Sequence, residues 1–281
     1  MESSLESDNA HYIPKSDIEV LSQEIDNELG MYRIRTGNKI RYLTIEVDAF
    51  DEDTMCRPYL LIPELPSFPN APWTKMDICR SNDGSLKVTT SDVKLQGVGF
   101  VWHPEKVEVL SLKRTRYYRH NVHEVIFNGA PAIAKIVRWE WELPRMENET
   151  AVYSFIYQDQ CAHPEDPPIA PQVLAHLTED GRVMGLLLEK VNGRFPGLDD
   201  LARCEEVVRR VHDIGIVHGD INRYNFLIDD ETGNIRLVDF EHAKHLTEET
   251  ARAELDSLPS ELAEETGRGT TTEEKIAIFE D

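Results

Sequence analysis

Three oxygen-bearing side chains stand close together in the sequence. Ile216-Val217-His218-Gly219-Asp220-Ile221-Asn222-Arg223-Tyr224-Asn225 leads into an apolar run, a polar turn at 229–234, and then Val238-Asp239-Phe240-Glu241. The layout is polar loop, short strand, turn, short strand and a further acid, so Asp220, Asn225 and Asp239 can converge at the mouth of one hairpin. Such a trio suits metal-assisted phosphoryl transfer. An aspartate on a loop can orient a hydroxyl nucleophile and accept its proton. Asn225 and Asp239 offer the hard oxygens magnesium wants, and few of them, because nucleotide phosphates fill the rest of its shell. Catalysis of this kind rests on positioning and charge neutralisation more than on covalent chemistry. Each residue alone could equally be a turn residue; their order and spacing carry the weight.

His218-Gly219-Asp220, with Asn225 five residues after the aspartate, resembles the catalytic loop of protein-kinase-like phosphotransferases, and Asp239-Phe240-Glu241 resembles their metal-binding Asp-Phe-Gly element. Gly219 between His and Asp, and Glu241 after Phe240, are closer to the aminoglycoside phosphotransferase and lipopolysaccharide kinase branches. Residues 102–269 look most like the kinase-like proteins common in filamentous fungi. The resemblance implies an α+β, two-lobed protein-kinase-like fold with a β-rich N-lobe, a shortened helical C-lobe and a β-rich N-terminal extension. It implies ATP and magnesium as cofactors, with Asp220 acting on the acceptor hydroxyl and Asn225 and Asp239 holding the metal. Pro131-Ala132-Ile133-Ala134-Lys135-Ile136 is similar to the Val-Ala-Ile-Lys strand, so Lys135 would reach the nucleotide phosphates. Its helix partner would be Glu149, with Glu147 the alternative that spacing does not decide. Gly185–Val191 resembles the strand entering the interlobe hinge, so backbone groups near Glu189 and Val191 would bind adenine.

The chain departs from that pattern in three places. The phosphate-covering loop belongs at Leu112–Asn121, which has no glycine but carries Lys113, Arg114, Arg116 and Arg119. Residues 101–145 have a net charge of +3. Arg114, Arg116 or Arg119 could replace backbone amides as phosphate ligands; a solvated hairpin tip paired with nearby acids is the plainer alternative. Asn222 stands where serine/threonine kinases carry a lysine, and adjacent Arg223 could substitute. Only forty residues follow Glu241, with no Ala-Pro-Glu element, too few for the usual peptide platform. The expected activity is therefore phosphotransfer to a hydroxyl acceptor, a small molecule favoured over protein. The rival is a pseudokinase, a nucleotide-binding or structural module without turnover, favoured by the missing glycines and opposed by the intact metal and acid–base residues.

These residues need elements to position them. Val107–Leu112, Val122–Phe127 and Ala132–Val137 read as three consecutive antiparallel strands, the last two joined by Asn128-Gly129, a tight-hairpin signal. A helix is expected near 147–157, strands near 172–177 and 183–191, and a helix over 198–214 whose apolar Leu198, Leu201, Cys204, Val207, Val208 and Val211 share one face. Asp199 and Asp200 at its start and Gly215 past its end suit its polarity and stop. A last helix near 253–262, capped at Thr266-Gly267-Arg268-Gly269, would lie under the catalytic loop. The expected organisation is a polar, flexible 1–38, a β-rich accessory region 39–104, an N-lobe 105–191 and a C-lobe 192–281 with an acidic tail.

Composition sets the outer limits. With 281 residues, 40% hydrophobic and 29% charged, the chain is ordinary globular material. Its net charge of −22 argues against nucleic-acid and membrane-surface partners. The acidic opening Met1–Asp8 has no secretory or transit character, and no apolar run approaches a bilayer's thickness. Four scattered cysteines read as reduced thiols of a cytoplasmic or nuclear, not secreted, protein. His212, His218, His242 and His245 match no strong zinc spacing. The charge is uneven: residues 229–281 carry a net −11.

Overall fold

The computed structural model describes residues 12–267. The chain divides into two compact units, up to Gln96 and from Gly97.

The first unit is built on a five-stranded sheet. Its elements are β1 (Tyr12–Ile13), β2 (Ile18–Ile25), β3 (Leu29–Thr36), β4 (Lys39–Glu46), α1 (Glu52–Cys56), α2 (Pro58–Glu64), β5 (Phe68–Pro69), β6 (Lys75–Arg80) and β7 (Leu86–Ser91). The sheet order is β2-β3-β4-β6-β7, with β4 and β6 parallel and the other pairs antiparallel; β1 and β5 form a small ribbon. Tyr32, Ile34, Leu43, Ile45, Met76 and Ile78 pack beneath the helices in an apolar core. The flexible 1–38 expected from composition is thus ordered from residue 12, and the boundary at 38/39 falls in the β3–β4 turn at Gly37. Composition misled because polar residues are built into these strands: Arg33 and Thr36 of β3 are buried beside Ile18, Tyr32 and Ile34. Residues 1–11 lie outside the described chain. The apolar run at 59–62 folds as α2, started by Pro58 in the first turn, where its missing N–H costs nothing.

The second unit carries a six-stranded sheet. Its strands are β8 (Lys106–Glu108), β9 (Lys113–Arg119), β10 (Val122–Phe127), β11 (Ala130–Ile136), β12 (Val173–Glu179) and β13 (Arg182–Glu189), in the order β8-β12-β13-β11-β10-β9. Between β11 and β12 runs α3 (Leu143–Ala162). Then follow β14 (Gly193–Arg194), α4 (Leu201–Asp213), β15 (Ile216–Val217), β16 (Phe226–Asp229), β17 (Ile235–Leu237), β18 (Lys244–His245) and α5 (Glu248–Leu262). Asn128 and Gly129 both have positive φ, so the β10–β11 hairpin closes on the two-residue turn its sequence called for. The strand expected at 107–112 is replaced. Residues 106–108 pair in parallel with β12 at one edge, and the charged 113–119 forms β9 at the other. A strand so rich in arginine is tolerated because it is an edge strand. One core joins the sheet to α3, α4 and α5 through Val152, Leu186, Val208, Phe226, Leu237 and Leu258. The mixed α/β architecture is compatible with a kinase-like fold. No helix among the described residues is long and apolar enough to cross a membrane.

Candidate active site

Lys135 lies on β11, between β10 and β13, and is 6% exposed. On β13, Gly185 pairs with the next residue, Ile136, and a Cβ there would come within 2.1 Å of the Lys135 carbonyl, so only glycine lets the strands approach this closely. The Lys135 ammonium sits 2.7 Å from Glu149 Oε2 and 3.4 Å from Glu241 Oε2, and it also bonds Asp239 Oδ1. Glu149 projects from the buried face of α3, among Met146, Val152 and Tyr153. Glu147, the alternative, turns away: its carboxylate accepts from the backbone N–H groups of Gly99 (2.8 Å) and Phe100 (2.7 Å).

Burial disfavours the Lys135 ammonium, but the Glu149, Asp239 and Glu241 carboxylates outweigh it and hold its pKa above the ordinary lysine value. Burial pushes the Glu149 carboxyl up to about 7, against the pull of Lys135. Asp239 is also penalised by burial, but Lys135 and then Arg119 bring it down to about 2. Arg119 Nη1 lies 3.1 Å from Asp239 Oδ2. Oxygens of Glu149, Asp239 and Glu241 lie within 4.8 Å of one another.

Asp239 has φ 71°, ψ 57°, a left-handed conformation costly for a residue with a side chain. Its neighbours hold it there. Val238 N–H donates to the Asn225 carbonyl (2.9 Å), and Val238 O accepts from His218 Nε2 (3.0 Å), which fixes that ring's tautomer. Phe240 is fully buried against Tyr153 and His218, with ring centroids 5.4 and 4.9 Å away. The Asn148 side-chain amide reaches the carbonyls of Phe240 (3.4 Å), Glu241 (3.2 Å) and Ala243 (2.9 Å), tying α3 to this segment.

The 218–225 loop is pinned from below. Gly219 has φ 80°, and a Cβ there would meet the His242 carbonyl at 2.2 Å, so the middle residue of His-Gly-Asp must be glycine. Glu254 of α5 accepts from the N–H groups of Gly219 (2.8 Å) and His218 (3.3 Å) and from His212 Nε2 (2.7 Å). Asn225 is buried and donates to the Asp220 carbonyl (2.9 Å) and, at 3.4 Å, to its carboxylate. Asn222 reaches the same two oxygens and caps the following turn through Tyr224 N–H. Asp220 itself is exposed.

A cavity of about 610 Å³ opens over this assembly. Lys135, Glu149, Glu189, Val191, Asn225 and Asp239 line it, as does Arg116; Asp220 and Arg114 do not. Arg114 sits on exposed β9 away from the opening, and Asp220 joins the cavity wall only through Asn225. Glu189 is partly committed: its N–H donates to the Gln172 carbonyl (2.8 Å) and its carboxylate pairs with Arg236 (3.0 Å). Arg223 turns toward the Glu264 carbonyl (3.4 Å), not the cavity, and so does not stand in for the missing lysine. Among the described residues the grouped metal-ligand candidates are carboxylates, not histidines. Sequence reasoning missed Glu254 and Asn148. Within the acidic C-terminal stretch, Glu254, Leu258 and Leu262 form a buried stripe at helical spacing. Arg268 and Gly269, expected to cap that helix, lie outside the described residues.

Residues 188–257, about a quarter of the chain, match the RIO domain family, an atypical protein-kinase-like family. No curated protein matches the chain. The matched segment contains the catalytic-type loop, Asp239 and Glu254, while Lys135 and Glu149 precede it. In the stretch that carries Asp220, Asn225 and Asp239, then, this chain is similar to the protein-kinase-like superfamily through its RIO branch.

Proposed function

We propose that residues 97–281 act as an ATP- and magnesium-dependent phosphotransferase on a hydroxyl acceptor, a small molecule in preference to a protein. The observation that carries this reading is the buried Lys135 ammonium shared by Glu149, Asp239 and Glu241 at the wall of a 610 Å³ cavity that also contains Asn225. The RIO match supports kinase-like chemistry. Lys135, steadied by Glu149, holds nucleotide phosphates. Backbone groups of Glu189 and Val191 meet the base, and Arg116 adds positive charge at the rim. Asp220 orients the acceptor hydroxyl and receives its proton. Asn225 and Asp239 hold magnesium: the donor set is all oxygen, which suits a hard divalent cation. The bound ion supplies charge neutralisation at the transferring phosphoryl group.

The test is phosphate transfer from labelled ATP, with the product identified by mass. Asp239→Ala and Asp220→Ala are each expected to lower turnover on the order of 10²-fold or more. Wild-type protein that binds Mg-ATP but never transfers phosphate to any acceptor would sustain the pseudokinase alternative instead.

A further inference from the structure

We infer that Arg119 serves this site in two positions. With the cavity empty it holds the Asp239 carboxylate. With a divalent cation on Asp239 it becomes a ligand of the terminal phosphates of a nucleoside triphosphate. The inference deepens the proposed function and rests on it.

Arg119 is the last residue of β9, just before the His120-Asn121 turn, and lines the cavity. Its contact with Asp239 joins the tip of the β9–β10 hairpin to a residue 120 positions later. Both Asp239 oxygens are then engaged by cations, Oδ1 by Lys135 and Oδ2 by Arg119. A divalent cation arriving at this carboxylate meets two positive charges already there, and that repulsion favours moving one of them aside. Lys135 is the poorer candidate to leave, because it is buried and also answers Glu149 and Glu241. Arg119 is the better one. Its side chain is 33% exposed, long, and carried by a hairpin tip.

Once released, Arg119 stays beside the metal ligand, where metal-bridged phosphates would gather. A guanidinium matches phosphate oxygens two at a time and keeps its charge at any working pH. Residues 112–122 contain no glycine, so this hairpin has no bare backbone to lay against a phosphate. Two other cations at the cavity wall are drawn elsewhere. Arg116 stands 5.1 Å over the Tyr118 ring, and Arg145 lies 3.5 Å from Glu241.

The two roles make predictions of opposite sign. In the full chain, Arg119→Ala should bind Mn²⁺ alone severalfold more tightly, measured by electron paramagnetic resonance, because Asp239 Oδ2 is freed. The same variant should bind Mg-ATP about tenfold or more weakly in calorimetric titration. Adenosine affinity should not move, and Arg119→Lys should recover part of the Mg-ATP loss. Lys113→Ala, on the same strand but outside the cavity, should match wild type throughout. If Arg119→Ala fails to fold by circular dichroism, Arg119→Gln carries the same expectations. The inference is overturned if both affinities move in the same direction, or if neither moves, while wild type binds Mg-ATP. Wild type that does not bind Mg-ATP at all would instead sink the phosphotransferase reading, and this one with it.

Discussion

Two buried glutamates, Glu254 and Glu149, do opposite things with the same side chain. Glu254, under the 218–225 loop, meets as many donors as it needs: His212 and two backbone N–H groups. Burial works against its charge, but these bonds win and keep its carboxyl below the ordinary range. Glu149 shares a single ammonium with two further carboxylates, and burial wins. The first centre is electrostatically complete and holds a loop in place. The second has one buried ammonium among three carboxylates, with Arg119 and Arg145 reaching two of them from more exposed positions, and a divalent cation could rearrange that balance.

Removing the shared cation should have the largest effect on this contrast. Lys135→Met leaves three close carboxylates without their ammonium, so it should cost about 3–5 kcal/mol in denaturant unfolding and abolish Mg-ATP binding by calorimetry. Acid should return part of the stability, because the stranded carboxyls can then protonate. Glu254→Leu should come next. It strips the partner from two loop N–H groups and His212, for about 2–3 kcal/mol in the same assay. It should lower turnover more than Mg-ATP affinity, since it unsettles the loop and not Lys135. A loss of affinity equal to that of Lys135→Met would erase the distinction between the two centres. Glu149→Gln should have the smallest effect on stability. Glu149 is raised in the folded protein from 4.5 to about 7, so its contribution is fully present below pH 4.5 and is lost as pH rises through 7. The variant should flatten that part of the wild-type stability–pH curve. A wild-type curve that rises over this window would show Glu149 to be as well matched as Glu254.

The sequence announced the Asp220, Asn225 and Asp239 cluster because loop chemistry is local: glycine, aspartate and asparagine at short spacing dictate one compact turn system. Lys135 was readable through the resemblance of its strand to Val-Ala-Ile-Lys, and Glu149 only as one of two candidates on the following helix. Contacts that depend on packing were not readable. Whether Glu147 or Glu149 meets Lys135 is set by α3's rotation against the sheet, which places Glu147 at Gly99 and Phe100. Arg119 was one of several cations in a charged stretch, and only the hairpin's register brings it to Asp239. Glu254 is one of several acids in α5, and only that helix's packing under the loop shows which of them is buried. In the first unit, overall polarity concealed the strands 18–25 and 29–36, the second of which buries Arg33 and Thr36 beside its apolar residues.

The Asn148 amide has a consequence for inhibitor design. A compound too large for the cavity could make room by turning the Asp239-Phe240 segment outward or by swinging α3 away. Here one side chain on α3 reaches the carbonyls of Phe240, Glu241 and Ala243, so displacing either the helix or the segment breaks these bonds. Compounds that fill the cavity with its walls as they stand should succeed where those that must pry it apart fail.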